Sequence, residues 1–122
     1  MEYKFLGSTG VKVSALCFGG MSFGGDADES TSAAMFHACR EKGINFFDTA
    51  DVYQAGASEE ILGRLIQDCR QEVVIATKGY FPMGKDVNAR GASRYHIRAA
   101  VDSRWKRAGL MARPKTVGWE AR

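Results

Sequence analysis

Apolar residues along the chain fall into short continuous runs separated by stretches with helical spacing. Residues 3–14 alternate weakly around Gly7, Ser8, Thr9 and Gly10, a pattern that predicts a short opening β-hairpin. Val13 to Phe18 then form a first apolar strand that runs into the glycine-rich loop GGMSFGG at 19–25. A helix follows, with Asp28 and Ser30 as N-cap candidates, a stripe of Met35, Ala38 and Cys39, and Gly43 as its stop. The unit repeats. INFFDTA at 44–50 predicts a second strand, and the next helix has Ser58 at its N-cap and Glu59 and Glu60 at the positive end of its dipole. That helix presents Ile61, Leu62, Leu65, Ile66 and Cys69 on one face, and EVVIATK at 72–78 predicts a third strand. A final helix starts near Ser93 with Ile97, Val101, Trp105 and Ala108 at helical spacing, and from Met111 onward no regular element is predicted.

Cys17, Phe47 and Ala76, one marker in each strand, are spaced 30 and 29 residues apart, the length of a βα unit. Strands that read as unbroken apolar runs are covered on both faces, as in a wound parallel sheet. The class is therefore α/β, and the 122 residues suit one domain. Glycine, at 14 residues, is about one and a half times its usual share, while proline appears twice, so the glycines serve turns and close approaches, not a linker.

Charge and cysteine content exclude several classes. The net charge of +3 is mild, and its excess lies in the last thirty residues, which match no nucleic-acid-binding motif. The RWKR run at 104–107 reads as a solvated helix face. The start of the chain lacks the pattern of a signal peptide, and no apolar run approaches the length of a membrane span, so neither export nor a membrane is expected. Cys17, Cys39 and Cys69 are odd in number and lie at no metal-ligand or redox spacing. They read as small core side chains in a reducing cytoplasm, with no metal site.

Each strand ends in residues unusual for a core: Gly19 and Gly20, then Asp48, then Lys78. The carboxyl ends of parallel strands in an α/β barrel open on one face, so Asp48, Tyr53 and Lys78 are expected to converge. A free phenol has a pKa of about 10 and donates poorly near neutral pH unless a nearby cation favours the phenolate. Lys78 is placed to be that cation, and Asp48 to hold the ammonium. A general acid tuned this way suits protonation of a developing alkoxide, as when a carbonyl is reduced by hydride. Taken singly, Asp48 is a turn cap, Lys78 a solvated strand end and Tyr53 a half-buried aromatic.

The segments VSALCFGGMSFG, GINFFDTADVY, SEEILGR and VVIATKG, in this order and spacing, resemble the aldo-keto reductase superfamily, and the FPMG and NARGASR segments resemble its aryl-alcohol dehydrogenase-like members. The resemblance implies a partial (β/α)8 TIM barrel: about the first three βα units after a short hairpin, in a domain of residues 1–110 with an irregular tail at 111–122. It implies NADPH as cofactor and a small-molecule aldehyde or ketone as substrate, with Tyr53 as proton donor tuned by Lys78 and Asp48. It also places Gly20, Met21 and Asp48 near the nicotinamide. The chain has no GxGxxG fingerprint. The family's fourth strand with its catalytic histidine, and its later phosphate-gripping segment, are absent. His37 and His96 fall within helices and take neither role. A full barrel needs roughly 250 residues, so the expectation is an amino-terminal fragment, weakly active or inactive alone, with an open sheet edge available for self-association. The alternative expectation is a non-catalytic NADP-binding or regulatory module on the same fold, as in the potassium-channel beta subunits.

Overall fold

A computed structural model of the chain describes residues 1–107. The predicted end of the last helix at Ala108, together with Trp119 and the 111–122 tail, lies outside the described residues. Strand β1 (Tyr3–Phe5) pairs antiparallel with β2 (Lys12–Ser14), Tyr3 opposite Ser14, which is the expected hairpin. Three parallel strands follow in the order β3 (Phe18–Gly19), β4 (Phe46–Asp48) and β5 (Val74–Ala76). Between them run α1 (Glu29–Glu41) and α2 (Ala57–Leu65), and α3 (Arg94–Arg107) closes the described chain. The sheet is open: three strands of a (β/α)8 barrel, with β3 and β5 as its edges.

The run Val13 to Phe18, expected as one strand, is two. The Ser14 hydroxyl donates to the carbonyl of Leu16 at 2.6 Å and bends the chain there. Ser14 is also tied to the entry of β4, its N–H donating to Asn45 Oδ1 at 2.7 Å. The hairpin thereby sits beneath the parallel strands, at their amino ends.

In α1 the Asp28 carboxylate accepts from the Thr31 N–H at 2.7 Å, as expected of an N-cap. Those backbone N–H and Ser30 contacts hold the Asp28 carboxyl below its usual range. Gly43, with φ +81°, supplies the left-handed turn that stops the helix. The inward stripe is shifted from the expected one. Ser32 and Phe36 are buried and Cys39 packs on the core, whereas Met35 and Ala38 face solvent. Phe36 decides the register, because its ring, 4.9 Å from that of Phe47, carries more apolar area than its neighbours.

The apolar core gathers Phe23, Phe36, Phe47, Ile61, Leu62, Ile66 and Val73 between sheet and helices. α2 contributes the face expected of it, but Ser58 is not its cap. Gly56 holds that position, and the Ser58 hydroxyl turns inward to donate to the carbonyl of Gly20 at 2.7 Å. Cys39 and Cys69 pack against the core, while Cys17 is exposed at the strand ends. All three thiols are free.

Candidate functional site

Backbone pairing continues past the ends of the strands and builds the site. Asp48 lies between Gly19 and Ala76 in register. Beyond it, Thr49 N–H donates to Ala76 at 2.9 Å and Asp51 N–H to the Lys78 carbonyl at 3.1 Å. On the other side Gly20 N–H donates to the Asp48 carbonyl at 2.8 Å. The loops after β3, β4 and β5 are thus locked together where their unusual residues stand.

Lys78 joins the predicted trio. Its ammonium donates to the Asp48 carboxylate, to the Thr49 carbonyl at 3.0 Å and to the Tyr53 hydroxyl at 3.1 Å. An ammonium has three hydrogens to give, and all three are engaged. Because the Tyr53 oxygen accepts from Lys78, its own hydrogen is left to donate elsewhere. The lysine remains half-exposed, at 50%, and Asp48 is 31% exposed, so the rim is reachable from solvent. Burial pulls the Lys78 pKa down, but its bonds to Asp48 and Tyr53 outweigh that, and the net direction is upward. The ammonium is held charged.

Tyr53 enters the rim from a strained turn. Gln54 and Ala55 adopt φ of 50° and 53°, a left-handed conformation that costs L-residues about 1–2 kcal/mol each. Strain in this position keeps the chain after Tyr53 from continuing as a helix and leaves the phenol beside Lys78. On the β3 side Gly20 is buried, while Met21 is 63% exposed beside it. An added Cβ at Gly19 would meet nothing within 4 Å, so the rim has free space there. The nearby Cys17 thiol is pushed up by partial burial and then by the Asp48 carboxylate, against the pull of Lys78.

Neither histidine reaches the trio: His37 is exposed on α1, and His96 is buried in the first turn of α3, where its N–H donates to the Ser93 hydroxyl at 3.1 Å. Among the described residues no group of three or more His, Cys, Asp or Glu is placed to hold a metal ion. Clefts of about 280, 240 and 510 Å³ flank α3, and none of these is lined by Asp48, Tyr53 or Lys78.

Sequence reasoning missed the ion cluster behind the rim. Asp51, 2% exposed, accepts from Arg104 Nη2 at 3.1 Å. Glu59, 3% exposed, accepts from Thr77 Oγ1 at 2.7 Å and Arg107 Nε at 2.8 Å. Arg104 Nε sits 3.4 Å from Glu59 Oε1, near enough to attract but not aligned for a hydrogen bond. The 104–107 run is therefore not a solvated face at its two arginines, whose side chains are 12% and 21% exposed. Nothing in the spacing of RWKR marks its arginines as buried; the only signal was an acid, Glu59, inside a helix predicted to pack, since Asp51 falls in the loop between the predicted strand and helix.

The profile of the Aldo/keto reductase family matches residues 15–112. A protein of Oryza sativa subsp. japonica named as a probable voltage-gated potassium channel subunit beta is 40% identical over 114 residues, 90% of this chain and 34% of its own length. The uncharacterized oxidoreductase YrpG of Bacillus subtilis is 41% identical over 118 residues, 88% of this chain and 36% of its own. Among solved structures, the holo form of aldo-keto reductase AKR11C1 from Bacillus halodurans superposes with a TM-score of 0.77 at 34% identity, over 89% of this chain and 37% of that one. The chain spans about a third of the length of the curated relatives it matches.

Proposed function

We propose that this chain, which belongs to the aldo/keto reductase family, carries the proton-donating site of an NADPH-dependent oxidoreductase that reduces aldehydes or ketones to alcohols. One observation carries the reading: a single ammonium, Lys78, bridges the Asp48 carboxylate and the Tyr53 hydroxyl at the strand ends. NADPH, when bound, supplies the hydride that forms the new C–H bond at the carbonyl carbon. Gly20, Met21 and Asp48 would hold its nicotinamide end, where the free space at Gly19 and the exposed thioether of Met21 suit a flat ring. Tyr53 gives its hydroxyl hydrogen to the carbonyl oxygen as the C=O electron pair moves onto that oxygen. The negative charge left on the phenol oxygen faces Lys78, and Asp48 keeps the ammonium charged and in place.

The described residues provide the proton-transfer side of a barrel, and an exposed β5 edge to which further strands or a second copy can add. Purified alone, the chain is expected to oxidise NADPH with an aryl aldehyde only at background rate. Grafted as residues 1–107 in place of the matching third of a full-length reductase, it is expected to support turnover. Tyr53→Phe in the graft should lower the rate by about 10²–10⁴-fold; a graft as fast with phenylalanine as with tyrosine would sink the reading. We place the chain in a reducing compartment, the cytoplasm, on its three unpaired thiols.

A second reading has one observation in its favour, the 40% identity to proteins named as potassium channel beta subunits. On it, the same rim binds NADP as a regulatory module. Nucleotide binding by the graft with no turnover of any aldehyde or ketone would favour it.

A further inference from the structure

Two loops bring the phenol and the amine together, and each is gripped one or two residues away by the same buried charges. Asp51 precedes Tyr53 by two positions, and Thr77 precedes Lys78 by one. Arg104, reaching from α3, binds Asp51 at 3.1 Å and lies 3.4 Å from Glu59, which in turn takes the hydroxyl of Thr77 at 2.7 Å. One guanidinium therefore ties the β4 loop to α2, and through α2 to the end of β5. A planar cation with several donors in fixed directions sets both distances at once, as a lysine does not.

The backbone between the loops is shaped to let it through. An added Cβ at Gly79 would overlap Arg104 Nη2 and stand 3.1 Å from Asp51 Oδ2. Gly79 is buried and immediately follows Lys78, and its φ lies outside the left-handed region, so space and not backbone conformation demands the glycine. The guanidinium passes over the residue next to the catalytic amine to reach the acid next to the phenol.

We propose that Arg104 is a positioning residue that, through Asp51 and Glu59, sets the separation of the Tyr53 and Lys78 side chains. This rests on the reading of that pair as the proton-transfer site, and the arginine touches neither reacting group. A cluster that merely docks α3 would change stability alone. A cluster that sets the rim changes how firmly the Lys78 ammonium is held between Asp48 and Tyr53.

The test is the alkaline titration of Lys78 in the whole chain, followed by NMR with carbon-labelled lysine and assigned by its loss in Lys78→Met. Gly79→Ala, which leaves every charge in place but displaces Arg104, is expected to lower the Lys78 midpoint by about half a pH unit. The paired variant Asp51→Asn with Arg104→Met, which leaves Glu59 and Arg107 to balance each other, should shift it likewise. Arg104→Lys should fall between these and the unaltered chain. An unmoved midpoint in variants with native circular dichroism overturns the proposal. Failure of all three to fold overturns it too, since the cluster would then determine the fold and not the rim. The readout needs no turnover. A shifted midpoint alongside a Tyr53→Phe graft of undiminished rate would keep the positioning role and discard the reductase reading, and the reverse pair of results would do the opposite.

Discussion

Helices α2 and α3 pack side by side, yet different forces hold them. α2 buries Ile61 and Leu62, with Ile66 just past its end, in a core of aromatic and branched side chains. Of its described side chains α3 buries His96 and Ala100, and below them it presents Arg104 and Arg107 to carboxylates on α2 and on the β4 loop. Apolar burial is non-directional and tolerates small shifts of a helix. A desolvated guanidinium and carboxylate fix distance and angle, and after desolvation they add little net stability. The helix beside the rim loops is thus docked by the contact that specifies geometry, and the helix deeper in the core by the contact that supplies stability.

The largest effect that can break this contrast is expected at Glu59. Glu59→Ala removes the acceptor of Thr77 and the carboxylate that pairs with Arg107, and leaves Arg104 with Asp51 alone. Removing one partner of a buried pair costs about 3–5 kcal/mol, to be read from the urea midpoint of the chain. A loss below about 1 kcal/mol, the scale of an exposed pair, would mean that α3 is held by something other than these ions.

The rim should behave in the opposite way, with a large effect on chemistry and a small one on stability. The raised pKa of Lys78 makes its contribution to folding complete below the ordinary lysine range, and this contribution is lost as pH rises through the higher folded value. Asp48→Asn should move that alkaline loss to lower pH, because the carboxylate that holds the ammonium is gone. With Lys78 half-exposed, the change in stability at neutral pH should stay within about 1 kcal/mol. A loss at neutral pH as large as that of Glu59→Ala would make Asp48 a fold residue and erase the distinction between rim and cluster.

The trio itself was legible in the sequence because a strand's end is visible there: an acid and an amine close two apolar runs 30 residues apart, and a phenol follows the acid by five. Strands β4 and β5 and the inward face of α2 were legible for the same reason, since apolar residues such as Ile61, Leu62 and Ile66 have no other use. What the sequence hid are contacts decided by competition. Ser58 carries the mark of an N-cap, but the Gly20 carbonyl, brought near only by the folded sheet, takes its hydroxyl. Phe36 outbids Met35 and Ala38 for the core through ring size, which spacing alone does not weigh. In α3, Ile97 and Val101 have the spacing of a buried face, and the acids that draw Arg104 and Arg107 inward are distant in sequence and so invisible to any local pattern.

That last difference yields the smallest expected effect and the finest test of the contrast between the helices. Ile97 and Val101 are 38% and 37% exposed, so these two positions, which helical spacing assigns to the core, are at the surface. Truncating a fully buried isoleucine costs about 2–5 kcal/mol, whereas substitutions at exposed positions usually stay within about 0.5 kcal/mol. Ile97→Ser should fall near the second figure in a urea melt and leave the Lys78 titration where it is. A loss on the scale of the first would mean that α3 turns its apolar stripe inward. Arg104, seven residues on from Ile97 and so on the same side of the helix, would keep its reach to Asp51, but α3 would then be docked by apolar burial as α2 is, and the contrast between the two helices would fall.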